Sequence, residues 1–177
     1  NLLLEAGMPQ APNTLWVGDI TYIPLRNGGW LYLATWMDLF SRLVVGWKLD
    51  PHMREGLVTD AFRQAVASRD PPEGLIVHSD GGGQYASKAF RRLLQGKFRQ
   101  SMTRRNNHYD NAHAESLFSR FKAELLERGA FLNLEDAHKE CFGYIEEYYN
   151  RKRRHSALGY LSTIEFENQI YRSAAHI

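Results

Sequence analysis

From Leu15 to Pro24 the chain alternates. Trp16, Gly18, Ile20 and Tyr22 fall on one side, and Leu15, Val17, Asp19, Thr21 and Ile23 on the other. That period of two is the signature of a strand, and Pro24 ends it. Arg26-Asn27-Gly28-Gly29 contains Asn-Gly, a strong hairpin signal. Trp30 to Asp38 reads as a second strand, Asp38 to Ser41 as a turn, and Arg42 to Leu49 as a third strand. After Pro51 and Met53 the period changes. Leu57, Val58, Ala61, Phe62, Ala65 and Val66 share one helical stripe, which Pro71-Pro72 closes. Leu75 to His78 is a short apolar run, as in a buried central strand. Ser87 can cap a helix with Phe90, Leu93 and Leu94 inward, and Phe98 to Met102 is a plausible short strand. A long helix is expected through about Arg128, striped by Leu117, Phe118, Phe121 and Leu125. A last helix is expected from Asn133, with Ala137, Cys141, Tyr144, Ile145 and Tyr148 inward. A three-strand meander, two further strands and interleaved helices predict a mixed α/β layer architecture, not a doubly wound one.

Composition bounds the function classes. The chain has 177 residues, 44% hydrophobic and 24% charged, which suits one folded domain and excludes general disorder. No run of about 18 apolar residues occurs, so no membrane-spanning helix is expected. The chain starts at Asn1 without a signal-like pattern, and reads as a piece of a longer protein. Cys141 is the single cysteine, so no internal disulfide forms, and a reducing compartment fits.

The net charge of +2 hides an asymmetry. From Gly81 to Tyr109 there is no acid, yet Lys88, Arg91, Arg92, Lys97, Arg99, Arg104 and Arg105 are all present. Arg151, Lys152, Arg153 and Arg154 form a second basic cluster. Such acid-free basic stretches neutralise polyanions, most commonly nucleic-acid phosphates, although a solvated helix face and tail would look the same.

Three carboxylates are the candidates for chemistry, because the pattern allows them to meet. Asp19 lies mid-strand between Val17 and Thr21, a costly position without a partner. Asp80 follows the buried apolar run and precedes three glycines, Gly81 to Gly83, which leave room for a ligand. Glu115 opens the expected long helix, on the side of Ser119 and Lys122. If the first and fourth strands are neighbours, Asp19 and Asp80 converge and Glu115 leans over both. Three such groups remain ionised together only with cations, and Mg²⁺ or Mn²⁺ suits oxygen ligands. Two such ions would serve in-line phosphoryl transfer. Each acid also has an ordinary reading: a satisfied strand aspartate, a turn cap and a first-turn helix acid. Asp38 and Asp110 compete, as a turn residue and a helix N-cap.

The residues around these acids resemble a known family. Trp16 to Ile23, His78-Ser79-Asp80 with Gln84-Tyr85, and Tyr109-Asp110-Asn111-Ala112 leading to Glu115-Ser116 are similar to the catalytic core of bacterial DDE insertion-sequence transposases, relatives of retroviral integrases. So are Asp38 to Arg42, Val45-Gly46-Trp47, Tyr149-Asn150 with Arg153, and His155 to Tyr160. The likeness covers about Pro12 to Glu167. It implies a ribonuclease-H-like fold, with 1–14 a linker remnant, 15–130 the catalytic core and 131–177 a C-terminal helix and basic extension.

The resemblance also implies an enzyme, a DDE polynucleotidyl transferase. Such enzymes cleave transposon-end phosphodiesters and join the exposed 3′-hydroxyl to another strand without a covalent protein–DNA intermediate. Asp19, Asp80 and Glu115 would be catalytic and metal-binding, holding Mg²⁺ or Mn²⁺, as two ions when DNA is bound. His78 and Asn111 would orient groups around them. Lys88, Arg91, Arg92, Arg104, Arg105, Lys122, Arg151, Lys152, Arg153 and Arg154 would contact double-stranded DNA at transposon ends and target. A homo-oligomer in a bacterial cytoplasm is expected. Two features depart from the family pattern: Gly81 stands where many relatives have a polar residue, and the Asp80–Glu115 interval is one residue short. The alternatives are a DNA-binding or oligomerising fragment without chemistry, or a nuclease that cuts without joining.

Overall fold

The computed structural model describes residue 2 and residues 7–103, 119–120, 123–126 and 129–175. The alternating segments form an antiparallel meander of β1 (Leu15–Pro24), β2 (Trp30–Asp38) and β3 (Val44–Asp50). Strand β4 (Ile76–Ser79) pairs parallel with β1, and β5 (Arg99–Met102) parallel with β4, so the sheet order is β3-β2-β1-β4-β5. Helices α1 (Glu55–Arg69), α2 (Lys88–Leu94), α3 (Leu134–Phe142) and α4 (Thr163–Ala174) flank it. The expected mixed five-stranded sheet is therefore present. Residues 119–120 and 123–125 are helical, while the rest of the expected long helix lies outside the described residues.

Each face of the sheet is covered separately. On one face Trp16 and Trp36 meet Leu57, Val58, Ala61, Phe62 and Ala65 of α1, with Phe90 and Leu94 of α2. Trp36 is the hub: it stacks on Phe90 at 5.6 Å between centroids and meets Phe62 and Tyr85 edge-on. On the other face Leu15, Val17, Leu31 and Leu33 pack with Leu125, Phe131, Ala137, Cys141, Ile145 and Tyr149. Burial pushes the Cys141 thiol up to about 12, so it behaves as a small apolar side chain.

Two glycines set how closely the layers approach. A Cβ on Gly18 would strike the Trp36 ring, so Gly18 is what lets that ring lie flat across β1. A Cβ on Gly46 would collide with the Ala61 carbonyl and come within 2.7 Å of the Ala65 Cβ, both on α1. Gly46→Ala should therefore lift α1 off β3 and cost about 1–3 kcal/mol, read as a lower urea midpoint at unchanged slope. A wild-type midpoint would mean that the helix can shift at no cost.

Three expectations change in the structure. The third strand begins at Val44, not Arg42, because Arg42 takes a left-handed φ of 63° within the turn closed by Asp38. Strand β3 then bulges opposite Trp36/Met37. The last predicted helix widens after Phe142 into a π-type turn over Gly143–Tyr149, where the Asn150 amide donates to the Ile145 carbonyl. The extra residue rotates the stripe. Tyr149 is buried in place of the predicted Tyr148, which is exposed. Finally, α4 is an additional helix that the apolar pattern does not predict, although its start signal is readable: Ser162 and Glu165 form a reciprocal capping box.

Tyr149 and Asn150 tie the C-terminal segment to the sheet. The Asn150 side chain accepts from the Val44 amide (3.1 Å) and donates to the Val44 carbonyl (3.0 Å), pairing with the edge strand as a strand would. His155 sits edge-on to Tyr149 at 5.0 Å, with its Nε2 buried and without a hydrogen-bond partner among the described residues. Burial above all, then the positive charge of Arg153, lowers the imidazole to about 4, against an opposing hydrogen bond to the Tyr149 main chain. The unfolded chain takes up this proton near pH 6.5, but the folded chain does so only near pH 4. This contribution to stability is thus complete above about pH 6.5 and is lost as pH falls towards 4. His155→Gln should flatten the stability–pH curve in that window relative to wild type. Parallel curves would rule out a neutral buried His155.

Candidate active site

The β1–β4 register decides which acids meet. Val17 pairs with His78 and Gly18 with Ser79, so one further step along both strands brings Asp19 beside Asp80. Residues in register on parallel strands point to the same face, here the face of Leu15, Val17 and Ile76. Both aspartates are half-buried. The Asp19 Oδ1 accepts from the Ile20 amide at 2.8 Å, and the Asp80 Oδ1 from the Gly82 amide at 3.0 Å. Asp80 thus does cap its own turn, with only one of its oxygens engaged by that bond. A Cβ on Gly82 would press to 2.9 Å from that same oxygen, so the glycine keeps the turn tight around it. Glu115, Asn111, Lys122, Arg104, Arg105 and the competitor Asp110 lie outside the described residues.

The same turn brings in Tyr85, to which the sequence assigned no role. Its amide donates to the Gly82 carbonyl and its carbonyl accepts from the Gln100 side chain (2.8 Å). The ring is buried against Trp36 and Phe90, at 5.7 and 5.8 Å. Burial, then the charges of Asp19 and Asp80, push the phenol well above its usual range, so it is a protonated donor. Its sequence signal is its place in the Gln84-Tyr85 pair of the family motif, just after the glycine-rich loop.

The competing acid resolves differently. Asp38 is fully buried, with four donors aimed at it: the amides of Asn13 (2.6 Å), Phe40 (2.9 Å) and Ser41 (3.2 Å), and the Trp16 indole (3.3 Å). It organises the β2–β3 turn, as a turn residue should. Burial nevertheless raises its carboxyl above the ordinary range. His78 is fully buried on β4, with Nδ1 2.9 Å from the Ser101 hydroxyl and Nε2 3.4 Å from that of Thr103. It braces β4 to β5 two positions before Asp80.

A paired-aspartate site on this sheet can be set beside known proteins. The sequence pattern of the Integrase core domain matches residues 9–108, and a second Integrase core domain pattern matches residues 97–162. The chain belongs to the integrase core domain family. It is 45% identical over 168 residues to the transposase for insertion sequence element IS904 of Lactococcus lactis, covering 94% of this chain and 66% of that protein. It is 44% identical over 170 residues to transposase InsF for insertion sequence IS3fB of Escherichia coli, covering 96% of this chain and 59% of that protein. The chain therefore spans about three-fifths to two-thirds of the length of these curated relatives.

Among solved structures, the HTLV-2 integrase catalytic core domain superposes with a TM-score of 0.65 at 19% identity, covering 89% of this chain and 98% of that one. The BIV integrase catalytic core domain gives 0.66 at 17%, covering 92% and 99%. At these identities the likeness carries the fold, which is the ribonuclease-H-like arrangement expected from the sequence.

Within this integrase core the basic residues divide by what they touch. Lys88, Arg91 and Arg92 are exposed along α2, whose N-terminus is capped by Ser87. Arg151, Lys152 and Arg154 are exposed, and Arg154 donates to the Tyr160 carbonyl. Arg153 is not like them. Its guanidinium is 2.9 Å from Glu124, its side chain is 15% exposed, and Tyr144 donates to the same carboxylate at 2.7 Å. Those contacts hold Glu124 below the usual carboxylate range and make Arg153 a brace between two helical segments.

Proposed function

We propose that this integrase core is the catalytic unit of a DNA transposase, cleaving element-end phosphodiesters and joining the exposed 3′-hydroxyl to a second strand. The observation that carries this reading is the register-paired Asp19 and Asp80 on one sheet face, in a chain whose relatives are named transposases. Asp19, Asp80 and Glu115 are the groups that would hold divalent cations. The two described members suit cation binding, being hard oxygen donors, half-buried and side by side, each oriented by a main-chain amide. The HTLV-2 core named above was solved with magnesium. When bound, such ions supply Lewis-acid stabilisation of the charge on the attacking and leaving oxygens.

The protein's own part is positional. Asp19 is rigid because β1 is paired on both sides, to β2 and to β4. Asp80 is held by the tight Gly82 turn. His78, and Asn111 beyond it, would keep the surroundings ordered. Lys88, Arg91, Arg92, Arg104, Arg105, Lys122, Arg151, Lys152 and Arg154 would carry the DNA backbone, with Arg153 bracing their C-terminal cluster. The active assembly on paired DNA ends would be a homo-oligomer.

The test is to incubate the protein with a duplex carrying transposon-end sequence, plus target plasmid and Mn²⁺. Joined product that disappears with EDTA is expected. Nicking without joining would replace the reading by a nuclease, and binding without metal-dependent chemistry by a DNA-binding fragment.

The α2 contribution is separately measurable. Arg91→Glu with Arg92→Glu should weaken duplex binding. The slope of log affinity against log salt should also fall, by about 1 for each phosphate no longer neutralised. Fluorescence anisotropy across a salt series reads both quantities. Both residues are exposed, so the folded state should be unaffected. An unchanged slope would take α2 off the DNA face.

A further inference from the structure

The turn that carries Asp80 is not held by packing of its glycines. A Cβ placed on Gly81 or Gly83 would meet nothing within 4 Å. Glycine also gives up more backbone freedom on ordering than any other residue. Hydrogen bonds must therefore fix the turn, and most of them are internal. The Gly82 amide donates to the Asp80 Oδ1 (3.0 Å), and the amides of Tyr85 and Ala86 donate to the Gly82 carbonyl (both 3.1 Å). Among the described residues, two hydrogen bonds tie residues 81–85 to distant parts of the chain, and both come from glutamines. The Gln100 side chain on β5 donates to the Tyr85 carbonyl at 2.8 Å. The Gln84 side chain donates to the Met53 carbonyl, between β3 and α1, at 3.2 Å. Both lead back to the acid. From Gln100 the path runs through the Tyr85 main chain to Gly82, and from Gly82 to the Asp80 carboxylate. Gln84 is closer: a Cβ on Gly82 would sit 2.9 Å from the Asp80 Oδ1 and 3.3 Å from the Gln84 Oε1, so the two side chains flank one backbone position.

We propose that Gln84 and Gln100 are positioning residues of the Asp19–Asp80 site, anchoring the glycine turn at two points so that Asp80 keeps one orientation as cations bind. This rests on the cation-binding reading of Asp19 and Asp80 given above. A carboxylate on a loose turn has to be ordered at the moment of binding, and one already held loses less freedom. Groups that orient metal-ligating side chains from outside set affinity by about 10- to 100-fold. A glutamine kept only to satisfy a main-chain carbonyl would contribute to stability and leave metal affinity unchanged.

The experiment compares wild type, Gln84→Met, Gln100→Met, the double variant and Asp80→Asn by Mn²⁺ titration calorimetry, well below the unfolding temperature each shows without metal. Methionine keeps the unbranched shape of glutamine and removes the donor. Each single variant should raise the Mn²⁺ dissociation constant, and the double variant should raise it about 10-fold or more. Asp80→Asn should bind Mn²⁺ more weakly still. Gln100→Met also leaves the Tyr85 carbonyl without its donor and should unfold at a lower temperature. The Gln84 bond is exposed, so Gln84→Met tests the assignment even if Gln100→Met does not fold. Wild-type Mn²⁺ affinity in the glutamine variants, with binding lost in Asp80→Asn, would overturn the assignment and leave the metal site standing. A lower unfolding temperature with unchanged affinity would likewise make the glutamines structural only. Equal Mn²⁺ binding by wild type and Asp80→Asn, or none by either, would remove the metal site and the glutamine assignment with it.

Discussion

Asp80→Asn should lower metal-dependent strand joining by about 1,000-fold while leaving the protein folded. Asparagine has the same shape, and its carbonyl oxygen can still accept from the Gly82 amide, so the turn after β4 keeps its geometry. Asp80 lies just past the strand end and is half-buried, so the exchange disturbs no core packing. What disappears is one negative charge beside Asp19. Two adjacent carboxylates repel each other unless something positive sits with them, and removing one relieves that repulsion. The variant should therefore be no less stable than wild type without metal, and should lose the thermal stabilisation that Mn²⁺ gives wild type. Joining assays and melting curves with and without Mn²⁺ measure the two effects independently. Joining within a factor of a few of wild type would exclude Asp80 as a cation ligand, whatever the family pattern implies.

Glu167→Ala should cost about 3–5 kcal/mol of stability, a large part of what a domain of this size possesses. Glu167 on α4 and Arg69 at the end of α1 form a two-pronged pair, both bonds 2.8 Å, with side chains only 6% and 16% exposed. Arg69 also donates to Asn13 at 3.1 Å. Truncating Glu167 leaves a guanidinium buried without its partner. The neighbouring Asp38 cannot take over, because its oxygens already receive four donors from the turn and the Trp16 indole. The double exchange Arg69→Met with Glu167→Leu should recover most of the loss, since it removes the charges together. Urea unfolding of the singles and the double closes the cycle. A loss below about 1 kcal/mol in Glu167→Ala would mean that water already reaches the pair.

Both predictions depend on interactions that a sequence reveals unequally. Asp80 is legible because its chemistry is local: an acid after an apolar run, before glycines, inside a family motif. Glu167 is not. It sits in a helix that periodicity misses, and its partner comes from a helix far earlier in the chain. The basic cluster shows the same limit. Arg151 to Arg154 are four similar charges in sequence, but among the described residues Glu124 engages Arg153 and none of the other three, with Tyr144 donating to the same carboxylate. Charge counting cannot tell an arginine that faces solvent from one already partnered.

The hairpin strands β1 and β2, the caps at Ser87 and Asn133 and the apolar stripe of α1 follow from the sequence itself, because period, turn chemistry and capping act over a few residues. The order of motifs along the chain likewise marked the integrase core. The tertiary structure decided the rest: the parallel pairing that sets Asp19 beside Asp80, the π-type turn that exchanges Tyr148 for Tyr149, and the burial of Tyr85 against Trp36 and Phe90. These depend on register between distant segments and on the close approach allowed by Gly18, Gly46 and Gly82. No local pattern encodes such pairing, because its energy exists only once both partners are in place.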